Sequence, residues 1–212
     1  MSGRASPVAG APAVAVERLW LDRLYALAGP VAHELRNALN GVAVNVEVVR
    51  SRARGEAPAS SIGHFADTAA DQLESLTGLT DALLALVRPV AEPADVADVA
   101  ARLATLLGAV ARPDGGAVAL AVVPDGARVR TTVSGEALRG LVAGLLLDAF
   151  DRTARLTCEL DGRAAPTLRL CREGGPPLPE ISADVRALAE QWGVRLDGGQ
   201  AAWSATFPPS AD

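Results

Sequence analysis

Residues 31–49 read VAHELRNALNGVAVNVEVV, and the spacing of their apolar side chains decides the first half of the fold. Val31, Leu35, Ala38, Val42, Val46 and Val49 recur at steps of three and four, the period of a helix with one apolar face. Followed backwards, the stripe takes in Leu27, Leu24 and Trp20, so one helix is expected from about Val16 to Arg54. Gly55 to Ala59 reads as a turn, since Gly55 can end a helix and Pro58 cannot continue one. Ser60 or Ser61 can cap a second helix. Its stripe is Ile62, Phe65, Ala69, Leu73, Leu76, Leu83 and Leu86, and Pro89 stops it. Two long helices joined by a short turn make an antiparallel hairpin, which cannot cover its own stripe. Two hairpins paired in a symmetric four-helix bundle can, so a homodimer is expected.

The composition fits that plan. The chain has 212 residues, half of them apolar and 3% aromatic, so its core rests on Leu, Val and Ala. The net charge of -5 gives no reason to expect a nucleic-acid partner. Every cation is an arginine, which reads as coding bias. Cys158 and Cys171 lie in apolar strand-like runs without metal-ligand spacing, so both are expected as buried thiols. No apolar stretch has the length of a membrane span. Met1 to about Val16 is rich in Ala, Pro and Gly and lacks the plan of a signal peptide; it is expected as a disordered lead of a cytoplasmic protein.

Beyond Pro89 the texture changes. Arg88 to Asp95, with two prolines, reads as a linker between a hairpin domain (17–89) and a second domain (95–212). Val96–Val110 is helical. Ala117–Val123 and Ala127–Val133 are strand-like and flank Pro124-Asp125-Gly126, a hairpin signal. Ser134 opens a helix to about Arg152. Arg155–Leu160 and Thr167–Cys171 flank a turn at Asp161-Gly162. Ser182 caps a last helix to Trp192, and Val194–Leu196 and Ala202–Phe207 flank Asp197-Gly198-Gly199. The expected fold class is therefore α+β: a helical hairpin, then a small domain with one mixed sheet and helices on one face.

The chemistry lies on the first helix. His33, Asn37 and Asn40 are four and three residues apart and well off the apolar stripe, so they form one polar line facing outward. A neutral imidazole offers an unprotonated nitrogen as nucleophile at physiological pH. Glu34 is placed to orient the ring or take its proton, and Asn37 to hold a water or a phosphoryl oxygen. His64, at the start of the second helix, reads as an ordinary exposed histidine.

The run from His33 to Leu39, His-Glu-Leu-Arg-Asn-Ala-Leu, resembles the H-box of sensor histidine kinases, His-Glu-Leu-Arg-Asn-Pro-Leu, in six of seven residues. Ala38 stands where that family usually has Pro, which implies a straighter helix after His33. The second domain resembles the ATP-binding domain of the same kinases, in degenerate form. Leu138 to Thr153 aligns with the helix whose two asparagines hold Mg²⁺ and phosphate in that family; here those positions are Gly144 and Asp148. Glu173-Gly174-Gly175-Pro176-Pro177-Leu178-Pro179 stands where the family has its adenine-binding Asp-x-Gly-x-Gly. Between Pro179 and the last helix there is no room for the family's glycine-rich lid.

What the resemblance implies is a two-domain histidine phosphotransferase. It shuttles a phosphoryl group between receiver-domain aspartates through His33, with Glu34 and Asn37 assisting and Arg36, Leu39 and Asn40 meeting the partner. Val42 and Val46 are read either as receiver contacts or as bundle core. The implied partners are response-regulator receivers or a hybrid histidine kinase. No cofactor of the chain's own is expected, and Mg²⁺ is expected on the receiver. Three alternatives stand beside it: a pseudokinase adaptor that only binds, a receiver phosphatase in which Asn37 places the water, and a divergent active kinase using Asp148.

Overall fold

In the computed structural model the chain is described over residues 16–55, 59–88, 90, 92–110, 117–124, 128–151, 154–174 and 176–210. The expected disordered lead before Val16, the side chains of Ser60 and Ser61, and the turn residues Asp125 and Gly126 lie outside what is described. The architecture is α+β. Helices α1 (Val16–Ala53) and α2 (Ala59–Val87) have 38 and 29 residues, about 57 and about 44 Å at 1.5 Å per residue. As residue numbers rise along α1 they fall along α2. The Arg52 guanidinium lies 4.7 Å from the Phe65 ring centroid, and Asn45 Nδ2 donates to Gln72 Oε1 at 3.1 Å. This is the antiparallel hairpin that the stripes predict. α1 runs through Pro30 without ending. Pro30 has no N–H for the Ala26 carbonyl, but Leu27 and Val31 on either side are each 1% exposed and anchor that stretch.

In its second half the inward face differs from the expected stripes. Val46 and Leu73, on the stripe that a second hairpin is expected to cover, are exposed in the single chain. The half-buried positions beside them are Asn45 and Gln72, whose amides bond to each other, and the buried row of α2 continues through Leu79, Ala82 and Leu86. Gly41 makes the room: a Cβ there would stand 2.5 Å from Gln72 Nε2. Two amides that satisfy one another can occupy positions an apolar stripe would otherwise fill. Beyond Val31 no residue of α1 is buried, and Leu39, Val44, Val46 and Leu73 are exposed apolar side chains.

The second half of the chain opens with β1 (Ala94–Asp95), formed on the last two residues of the expected linker, and α3 (Val96–Val110). There follow β2 (Ala117–Val123), β3 (Arg130–Thr131), α4 (Gly135–Ala149), β4 (Arg155–Asp161), β5 (Thr167–Glu173), α5 (Ala183–Gln191), β6 (Arg195–Gly198) and β7 (Ala202–Thr206). The mixed sheet has the order β2-β4-β5-β7-β6, and the core forms between its inner face and α3, α4 and α5. Ser134 caps α4, its Oγ accepting from the Ala137 N–H at 3.4 Å. α4 stops at Ala149, short of the expected Arg152. Gly193, at φ +66°, takes the left-handed turn after α5.

The expected hairpin between Ala117–Val123 and Ala127–Val133 does not form. β2 instead runs parallel to β4, with Leu120 opposite Cys158, and α4 is the crossover. β3 is two residues long and pairs with β1, Ala94 opposite Thr131. The reason lies in the two runs. β2 is apolar throughout and extends the inner sheet face of Leu156, Cys158 and Leu160. The later run alternates, with Val129 and Val133 buried while Arg128 is exposed and Arg130 half-buried.

Arg139 of α4 joins the two halves of the molecule. It is 7% exposed, and its Nη1 donates to the carbonyls of Leu86 at 2.8 Å and Arg88 at 3.0 Å, while its guanidinium lies 5.1 Å from the Trp20 ring centroid. The end of α2 is thus capped by a side chain from the other half. Burial lowers the Arg139 pKa, and Glu136 partly offsets this. Arg139→Met keeps the apolar stem and leaves both carbonyls unsatisfied. The expected loss is about 2–4 kcal/mol, a fall in Tm of roughly 5–15 °C for a chain of this size, read by thermal denaturation.

Of the two cysteines, Cys158 is buried among the inner sheet residues and Cys171 is half-buried. Burial first, and Cys171 second, push the Cys158 thiol up to about 12. Iodoacetamide at pH 8 should therefore modify Cys171 and spare Cys158 in the native protein. Because the folded pKa lies above the unfolded one, this group leaves stability unchanged below pH 9.0. It subtracts stability progressively as pH rises from there toward about 12.

Candidate functional site

His33 sits on α1, two residues past Val31, and is exposed. It makes no hydrogen bond or ion pair among the described residues. Arg36, Asn37 and Asn40, three, four and seven positions along, are also exposed. Neighbours at that spacing stand about 5–6 Å apart at Cβ, so the four form one continuous polar patch. Arg36 has no ion pair among the described residues, which leaves a planar two-pronged cation one turn from the imidazole, suited to phosphoryl oxygens. Leu39, on the rim of the patch, is 54% exposed.

Glu34, expected to orient the His33 ring or take its proton, makes no hydrogen bond to the ring among the described residues. It is half-buried, and its Oε2 accepts from Asn37 Nδ2 at 3.4 Å. Consecutive residues on a helix point about 100° apart, which sends Glu34 toward the hairpin flank while His33 points outward. The structure thus brings together His33, Arg36, Asn37 and Asn40, and ties Glu34 to Asn37 rather than to the ring. His64 is exposed on α2 and packs edge-on against Phe65.

The face of α4 aligned with a nucleotide site is filled by the chain itself. A Cβ on Gly144 would stand 2.3 Å from Val185 Cγ2 of α5, so the helices meet where an asparagine side chain would project. Asp148 is engaged at both oxygens: Oδ1 accepts from Arg23 Nη1 at 2.9 Å and Oδ2 from the Ser182 N–H at 3.1 Å. Arg23 Nη2 donates to Ser182 Oγ at 2.9 Å, closing the ring of contacts. Ser182, expected to cap α5 with its side chain, gives that oxygen to Arg23 instead. The 176–177 loop is held by Arg172, which donates from Nη1 to the carbonyls of Pro176 and Pro177 at 3.0 and 3.1 Å. Its Nε donates to the Ala149 carbonyl at 2.9 Å, and Nη2 bonds the same oxygen. Two clefts border this loop, of about 430 and about 270 Å³, and Gly144 and Asp148 line neither. Among the described residues no three His, Cys, Asp or Glu side chains gather as a metal site.

Sequence reasoning missed Arg23, Ser182 and Arg139. A signal for Arg23 was present. It stands in a four-residue row with Leu19, Leu27 and Val31, all buried, so a lone cation there needs an acid. Asp148, in a helix otherwise almost wholly apolar, is that acid.

No protein-family model matches the chain, and no curated protein does. Among solved structures it is similar to a bacterial phosphotransferase, at 17% identity and TM-score 0.44, over 95% of this chain and 100% of that one. It is similar to the Acinetobacter baumannii histidine kinase AdeS at 12% identity and TM-score 0.46, over 84% and 98%. It is similar to the Erythrobacter litoralis EL346 blue-light activated histidine kinase at 18% identity and TM-score 0.41, covering 87% of this chain and 60% of that one.

Proposed function

We propose that this chain is a histidine phosphotransfer protein of a two-component system, carrying a phosphoryl group between receiver-domain aspartates on His33. The observation that supports it most is His33 itself: an exposed imidazole without a partner among the described residues, one turn from an unpaired Arg36 and from Asn37, inside the His-Glu-Leu-Arg-Asn run. The unprotonated ring nitrogen attacks the phosphorus of an aspartyl phosphate. The N–P bond forms as the P–O bond to the aspartate breaks, and the donor keeps its carboxylate. The proton on the other ring nitrogen leaves to water, because Glu34 is turned to Asn37. The reverse sequence delivers the group to a second aspartate. Mg²⁺ for both steps belongs to the receiver, and Arg36 and Asn37 meet the transferring oxygens. Leu39 and Asn40 border the surface a receiver covers.

Two further observations fit the reading. Asp148 and the space beside Gly144 are already taken by Arg23, Ser182 and Val185, which favours a phosphoryl source outside this chain. No residue of α1 beyond Val31 is buried, and Leu39, Val44, Val46 and Leu73 are exposed, as on one half of a homodimeric four-helix bundle. No helix among the described residues is long and apolar enough to cross a membrane, and the proposed place of action is the cytoplasm. The test is incubation with a panel of phosphorylated receivers. Label moving to this chain, and on to a second receiver, supports the proposal; receivers that bind without donating favour an adaptor.

A further inference from the structure

We infer that Arg23 is a positioning residue: through Asp148 and Ser182 it fixes the α/β half against α1 in one orientation, and so sets the surface a receiver meets beside His33. The functional part rests on the phosphotransfer reading; the positional part stands alone. Three separate elements meet at this one guanidinium. Arg23 comes from α1, Asp148 from the last turn of α4, and Ser182 from the N-cap of α5. The side chains of Arg23 and Asp148 are only 19% and 12% exposed. Both terminal nitrogens, both carboxylate oxygens, and the N–H and hydroxyl of Ser182 are used, at 2.9 to 3.1 Å.

Apart from Arg139, which meets Trp20 and the end of α2, the contact around Arg23 is apolar. Leu19, Leu27 and Val31 are buried, and Gly140 lets Leu19 and Leu188 approach α4, with a Cβ there 3.8 Å from Leu19 Cδ2 and 3.3 Å from Leu188 Cδ2. Leucine-on-glycine contacts tolerate sliding, whereas a closed triangle of charged and polar groups permits one register. All buried residues of α1 lie between Leu19 and Val31, so Arg23 stands inside the stretch where α1 is most deeply joined to the common core, with Val16 and Leu35 at its margins. His33 follows ten residues later, about 15 Å along the axis. A small rotation at Arg23 therefore moves the α/β half across the approach to the imidazole.

The test uses the full chain with Arg23→Ala, the conservative Arg23→Lys, and Ser182→Ala, which removes one bond with little loss of bulk. Two quantities are read: hydrogen exchange of the amides, and the receiver concentration that half-saturates transfer against the rate at saturation. In Arg23→Ala, exchange should quicken about tenfold or more over residues 19–31 and 182–188, the sheet strands keeping their protection. Half-saturation should rise about tenfold with the saturated rate nearly kept, since the buried acid loses its partner but His33 is untouched. Arg23→Lys should restore most of the half-saturation value. Unchanged exchange in Arg23→Ala and Ser182→Ala overturns the inference. So does a variant that only melts at lower temperature and saturates as wild type does. If wild type accepts no label from any receiver, the phosphotransfer reading falls, and the exchange pattern alone decides the position of Arg23.

Discussion

His33→Ala is expected to accept no phosphoryl group from any receiver that labels the wild type, while folding as the wild type folds. The side chain is exposed and without partners among the described residues, so its removal leaves nothing unsatisfied. Surface changes of that kind stay within about 0.5 kcal/mol. The loss is therefore separable from unfolding, which a melting curve on the same sample shows. On the wild type the label should be acid-labile and stable to alkali, the behaviour of a phosphoramidate, whereas an acyl phosphate is lost in alkali. Label that persists in His33→Ala removes His33 from the mechanism and turns attention to the other histidine, His64. Asn37→Ala separates the remaining reading. If it abolishes receiver dephosphorylation while His33→Ala does not, the chain is a phosphatase that places water through Asn37.

The second large effect is structural. Gly144→Asn, which places an amide side chain on α4 where it meets α5, should destabilise the protein and confer no nucleotide affinity. The new Cβ would lie 2.3 Å from Val185 Cγ2, on a β-branched side chain with little rotamer freedom in a helix. Overpacking costs about 1–3 kcal/mol, and an amide buried without a partner costs about 1–3 more. The gain in helix propensity over glycine returns only a few tenths of a kcal/mol. A net loss of about 2–5 kcal/mol lowers Tm by roughly 5–15 °C. Adding Val185→Ala should recover part of the loss, because the pair shares one space and its effects do not add. A wild-type Tm for Gly144→Asn would mean that α5 yields freely. Measurable ATP affinity would mean that Arg23 surrenders Asp148, and would revive the kinase reading.

Much of this molecule is legible in its sequence, and what is not has physical causes. The long helices show because their apolar residues keep a helical period over many turns. Within the single chain the places that face the other helix go to Asn45 and Gln72 rather than to Val46 and Leu73. A stripe counts apolar residues, and an amide pair that satisfies itself is invisible to it. The β2–β4 pairing is missed for another reason: Pro124-Asp125-Gly126 is a good local turn signal, but parallel pairing across α4 is decided by which run can share the inner sheet face. The exposure of His33 follows from its angle on the helix, whereas the side toward which Glu34 turns depends on Asn37, one turn away. The Arg23–Asp148 contact joins residues 125 apart: the local row around Arg23 calls for an acid but does not say which one.

Those long separations also order the events of folding. The far end of the hairpin is held by near neighbours such as Asn45 and Gln72, 27 residues apart, and can close while the ribosome is still making the rest. The end beside Arg23 is different. Its partners Asp148 and Ser182 are 125 and 159 residues downstream, and the last carbonyls of α2 wait for Arg139, more than 50 residues on. The first-made turns of α1 are therefore among the last to be secured, and until then Leu19, Leu27 and Val31 remain available to other surfaces. Nascent chains stalled before Ser182 should carry a protected distal hairpin and a protease-sensitive N-terminal third of α1.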